Sequence, residues 1–133
     1  MKRVKKRRKN KYKPSIKELT KSKEIIITEN DKIIYVYKQN DSYEYIEVTN
    51  VSYIAKIDDE WIPLVRYDST HGYLHRHTRV LFSDKREATD TEDVIKEGSH
   101  HVWLTWALKD LISRFTEYRR LFMKRSGMVD NNS

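Results

Sequence analysis

The chain contains no cysteine, which excludes disulfide frameworks, thiolate zinc sites and cysteine nucleophiles. Nowhere do apolar residues run for the ~18 positions that a membrane helix requires, and the first residues lack the apolar stretch of a signal peptide. Cytoplasmic placement, with no membrane partner, is the expectation. Apolar residues make up only 38% of the chain against 35% charged, where an ordinary domain is about 45–50% apolar. That deficit describes a core with disordered ends better than an evenly polar protein. Proline and glycine are also scarce, at two and three residues, so each marks a particular place.

What is present is unevenly distributed. Residues 1–23 hold twelve Lys/Arg against one acid, Glu18, for a net +11. Of 27 basic and 20 acidic residues in all, 15 and 19 remain beyond residue 23, so the rest of the chain is mildly acidic at −4. The arm, centred on Lys5, Lys6, Arg7, Arg8 and Lys9, has too few apolar groups to offset the entropy of ordering. We read residues 1–23 as a disordered arm, 24–126 as a single domain, and 127–133 as a disordered tail. The arm is the electrostatic footprint of a polyanion partner, RNA or another nucleic acid.

From Glu24 onward short β-branched and aromatic runs signal strands. These are Ile25–Thr28, Lys32–Lys38, Tyr43–Ile57 with a bulge expected near Asn50, Trp61–Tyr67, and Tyr73–Phe82. Pro63 removes a ladder donor and puts its strand at an edge or makes it irregular; Gly72 suits positive φ in the turn that follows. Residues 83–98 are polar and acidic, with a short helical turn expected over Thr91–Gly98. Ser99 then caps a long helix over about 100–125. Leu104, Leu108, Leu111, Phe115, Tyr118 and Phe122 form its apolar stripe, and Lys109 and Arg120 lie opposite. The pattern predicts an α+β fold: a curved antiparallel meander of about five strands with one helix across one face.

One segment carries chemistry beyond scaffold needs. Between Arg66 and His77 lie three of the five histidines, two arginines and the carboxylate of Asp68, around a glycine turn. Alternation places Tyr73, His75, His77 and Arg79 on one strand face. One reading is metal-free RNA cleavage. His71 and His75 exchange protons with the 2′-hydroxyl and the leaving oxygen, because imidazole titrates near neutrality. Arg66 or Arg76 stabilises charge on phosphorus, and Tyr73 stacks on a base or relays a proton. This reading calls for no cofactor and no metal. A second reading makes His75-x-His77 two ligands of a metal, with Asp68 or His71 the third. The plain alternative is a solvated strand face. A non-catalytic module is a further reading, in which the turn, with Tyr73, His77 and Arg79, and the arm only grip phosphates. His100 and His101 begin the helix and are expected to pack or cap. Tyr35, Tyr37, Tyr43, Tyr45 and Tyr53 could stack bases on a sheet, though such spacing more often fills a sheet face.

Trp61 to Asp68, His71-Gly72, His75-Arg76, Lys109-Asp110-Leu111 and Tyr118-Arg119 together resemble a group of small uncharacterised archaeal and bacterial proteins. More distantly they resemble the TumE-like toxins of toxin–antitoxin systems, over roughly residues 60–122. The resemblance implies a small RNA-acting toxin with an antitoxin as partner, and it matches at Arg66, Asp68, His71 and His75. It departs at His77, where an acid is expected in the group, and in the arm, which toxin relatives usually lack.

Overall fold

The computed structural model describes residues 19–42, 45–70 and 72–130, with backbone alone at Tyr45 and Ile46. The arm residues Lys5 to Lys9, His71, Tyr43 and residues 131–133 lie outside the described residues. Six strands precede one helix: β1 (Leu19–Thr28), β2 (Asp31–Gln39), β3 (Tyr45–Ile57), β4 (Glu60–Asp68), β5 (His75–Leu81), β6 (Asp84–Asp90) and α1 (His100–Arg125). They form one antiparallel sheet in sequence order, a plain meander. Short turns allow nothing else at so small a cost. At the β3–β4 turn, Asp58 and Asp59 both take positive φ, 52° and 63°, the backbone twist that a two-residue hairpin demands.

The α+β class and the helix stand as expected, but the strand count is six and not five. β6 was invisible to hydrophobic patterning because six of its seven residues are exposed. Backbone pairing with β5 holds it, and Asp84 caps the turn by accepting from Arg86 N at 3.0 Å. β1 likewise begins at Leu19, so residues 19–23, assigned above to the arm, belong to the sheet. They pair with Tyr35 to Gln39 of a β2 long enough to receive them. At the other end, Asp130 is ion-paired to Arg119 at 3.1 Å, so the expected tail is tied back to the domain as far as residue 130. The helical turn expected over 91–98 is only a turn, Val94 N donating to Thr91 O at 3.3 Å, with Val94 buried as its anchor.

Two irregularities fall where the sequence placed them. Val36 pairs with Asn50 but Tyr37 with Val48, leaving Thr49 as the extra residue of a bulge. Val65 pairs with Tyr53 but Pro63 with Ile54, so β4 bulges at Leu64 beside the proline, in the middle of the sheet and not at its edge.

α1 crosses β3, β4 and β5 on one face. Ser99 caps it, its side chain accepting from Val102 N at 3.4 Å, and Lys124 and Arg125 occupy the last turn, where the dipole favours cations. Leu104, Ala107, Leu111 and Phe122 are buried against Val51, Tyr53, Ala55, Val65 and Tyr67. Leu108 and Phe115 are only partly buried, whereas the charged Asp110 and Arg119 share the buried stripe. Tyr37 and Tyr53 are buried; Tyr53 meets Phe115 edge-on at 5.9 Å. These tyrosines fill the sheet and do not form a base-stacking platform.

Candidate functional site

β4 and β5 pair in a register that sets Arg66 opposite His77 and Asp68 opposite His75. Strand alternation then turns all four side chains to the face away from the helix. Asp68 is the hub. Its Oδ2 accepts from Arg66 Nη1 at 2.8 Å and lies 3.0 Å from His77 Nε2. Oδ1 accepts from Thr70 Oγ1 at 3.2 Å and sits 4.0 Å from His75 Nδ1, too far for a hydrogen bond. Burial pushes the Asp68 carboxyl up, but His77, Thr70 and Arg66 together outweigh it and hold the group below the ordinary carboxylate range.

The other groups are equally committed. Arg66 grips Glu87 of β6 through Nε at 3.1 Å and Nη2 at 3.0 Å, which raises the guanidinium pKa further. His77 Nδ1 is 2.9 Å from Thr89 Oγ1, so both of its ring nitrogens face partners. His75 is buried, its ring 4.2 Å from Tyr73 and 6.2 Å from His77 at an interplanar angle of 19°. Near-parallel rings at that spacing do not converge on one ion, and among the described residues no group of three His, Asp or Glu is placed to hold a metal. Arg79 curls toward the β5–β6 turn, donating to Leu81 O and Phe82 O at 3.1 and 2.6 Å. Tyr73 is 45% exposed and is the accessible aromatic of the cluster.

Arg76 is not part of this group. As the odd member of the alternation it points to the helix side and is buried. Its Nη2 donates to Asp90 at 2.9 Å and Asp93 at 2.5 Å, and its Nη1 to Tyr67 Oη at 3.2 Å. Tyr67 and Tyr118 both donate to Asp110 Oδ2 at 2.6 Å, and Arg114 reaches Asp110 Oδ1 at 3.1 Å. Burial, and then the hydrogen bond to Asp110, drives both tyrosine hydroxyls far above their usual pKa. This second cluster bolts α1 to β4, β5 and the loop after β6. Its key members, Asp110 and Asp93, were missed as site residues. The available signal was a carboxylate three residues after Ala107 and eight before Tyr118, on the stripe that should be apolar. His100 packs on Trp103 at 4.9 Å, with its Nδ1 3.4 Å from both Val48 N and Ser69 Oγ, a packing role as expected.

The molecule is thus a six-stranded antiparallel meander under one helix, with a His–Asp–Arg cluster on its open face. Residues 21–128 match the family described as Domain of unknown function (DUF7718), and the chain belongs to that family. No curated protein and no solved structure matches it. Among the described residues no helix is long and apolar enough to cross a membrane.

Proposed function

We propose that the chain binds nucleic acid, with the basic N-terminal segment supplying the affinity and the folded domain carrying it. The observation behind this reading is charge segregation: +11 in residues 1–23 against −4 in all the rest. Lysines and arginines at that density displace the counterions condensed on a phosphate backbone, which yields affinity without sequence preference. The folded domain supports the reading by subtraction. Arg66 and Arg76 are each matched by two carboxylates, so a phosphate at either would first have to break ion pairs. The test compares the whole chain with a form lacking residues 1–18. Binding of the whole chain to duplex DNA should weaken with salt by about 0.9 in log K per log salt for each phosphate engaged. The shortened form should lose most of that slope while melting at nearly the same temperature. An unchanged slope overturns the proposal.

A second reading, a metal-independent endoribonuclease of toxin type with an antitoxin partner, is favoured by the Asp68–His77 pair stacked against His75. In it His71 and His75 move the protons, and the ring of His77, held by Asp68, stacks against His75. Cleavage of RNA should then persist in EDTA and fall by about 10²–10⁴-fold in His75→Ala. Absence of cleavage by the pure protein leaves binding as the function.

A further inference from the structure

A cavity of about 550 Å³ opens between the β1–β2 turn and the second half of α1. Its floor is Arg119, only 4% exposed. Three acceptors, one in the β1–β2 turn and two in the sheet, fix that guanidinium: Nη1 donates to Asn30 O at 3.3 Å and Asp31 Oδ1 at 3.0 Å, and Nη2 to Lys56 O at 3.0 Å. Asp31 is itself fully committed, accepting also from Thr28 Oγ1 and Tyr53 Oη, each at 2.5 Å. The remaining edge of Arg119 faces the cavity. There Nε donates to Asp130, 3.1 Å from each of its carboxylate oxygens.

Asp130 comes from outside both sheet and helix. After Ser126 the chain reverses through Gly127 at φ 67°, Gly127 N donating to Lys124 O at 3.1 Å and Met128 N to Met123 O at 2.9 Å. This is a glycine helix stop, and it brings the short segment behind it back along the cavity. A carboxylate of the chain thus occupies the anion-reading edge of a buried arginine, in a space far larger than one side chain needs. The volume lies within the ~300–1,000 Å³ typical of small-molecule sites.

We propose that this cavity binds a small organic monocarboxylate, whose carboxylate takes the place of Asp130 on Arg119 Nε. Phe115, partly buried, lines the cavity where the ligand's apolar body would lie, and Thr28 and Thr116 line its walls. Arg120, which forms no ion pair among the described residues, adds positive charge beside it. Glu29 and Asp31 line the same space, so each further negative charge on a ligand meets repulsion. That selects a monocarboxylate over inorganic phosphate. The C-terminal segment is then a built-in competitor that keeps the site weak until displaced.

The test titrates benzoate into the full chain and into Asp130→Ala, following the Arg119 Nε–H resonance by NMR. Asp130→Ala should bind benzoate at least about ten-fold more tightly than the native chain, a difference of 1.4 kcal/mol or more, with the Arg119 signal moving saturably. Adding Thr116→Phe, on an exposed helix position lining the cavity, should remove that gain without unfolding the protein. A folded Asp130→Ala with no saturable response overturns the proposal. So does inorganic phosphate binding as tightly as benzoate, or a gain that survives Thr116→Phe.

Discussion

Strands β4 and β5 carry an arginine-centred cluster on each of their faces, and the two faces use the same chemistry differently. On the helix side Arg76, Tyr67, Tyr118 and Asp110 are closed off from water. The hydrogen bonds among these four are made in a medium of low dielectric, where a partner removed cannot be replaced by solvent, while the carboxylates of Asp90 and Asp93 that meet Arg76 keep 46% and 53% side-chain exposure. On the open side Arg66 retains 36% side-chain exposure and Glu87 32%. Water competes for both, and an ion pair so placed contributes little. The lesson is that the buried tyrosine–aspartate hydrogen bonds and the half-exposed Arg66–Glu87 pair, at similar distances, carry different energies. The buried cluster locks the helix onto the sheet, whereas on the open face Arg66 and Glu87 are accessible to whatever approaches it.

The sharpest way to break this comparison is Asp110→Ala. It strands two buried tyrosine hydroxyls and removes the carboxylate that the part-exposed Arg114 meets, and should destabilise by about 2 kcal/mol or more, on the order of 1–3 for each buried donor left unsatisfied. Urea unfolding at neutral pH measures it, and a loss below 1 kcal/mol would mean that the buried cluster is no lock.

A smaller effect should appear in alkali. Tyr53, Tyr67 and Tyr118 hold their protons well above the ordinary tyrosine value in the fold, chiefly through burial. Their contribution is complete below about pH 10, where unfolded tyrosines begin to ionise. It is lost as pH climbs above that, because the unfolded chain releases protons that the fold retains. Tyr67→Phe should flatten the alkaline limb of a stability–pH curve, and an unaltered limb would remove Tyr67 from the account.

The smallest change should come from Arg66→Ala on the open face, about 1 kcal/mol or less. The same variant leaves Asp68 with one cation fewer. The lowered carboxyl pKa of Asp68 gives stability that is present above its unfolded value of about 3.9 and lost as pH falls through the folded value. Arg66→Ala should therefore flatten the acid limb by the same small amount, about 1 kcal/mol or less, by which it lowers the neutral plateau. A large loss at neutral pH would erase the distinction between the faces.

Much of this molecule was legible in residue order. The helix, its Ser99 cap, the bulge at Asn50 and the irregular Pro63 strand all follow from local chemistry, because caps, bulges and proline act over a few residues. Period-two alternation put His75 and His77 on one face, and the β4–β5 register set Arg66 and Asp68 beside them. β6 was not legible, since an exposed edge strand is held by backbone hydrogen bonds that any sequence can make. Nor was the separation of Arg76 from the histidines. Proximity in sequence suggested one site, and alternation, applied strictly, puts residue 76 on the other face.

By itself the sequence determined the α+β class, the antiparallel meander and the concentration of positive charge in the first 23 residues. Hydrophobic periodicity and net charge need no knowledge of distant contacts. Only the tertiary structure decided which charges are neutralised. Arg76 meets Asp93 seventeen residues on, Tyr67 meets Asp110 across 43, and Arg119 meets Asp31 across 88. Polar contacts at such separations arise when packing removes water from groups that the chain order keeps apart, and no local pattern records which acid will face which donor.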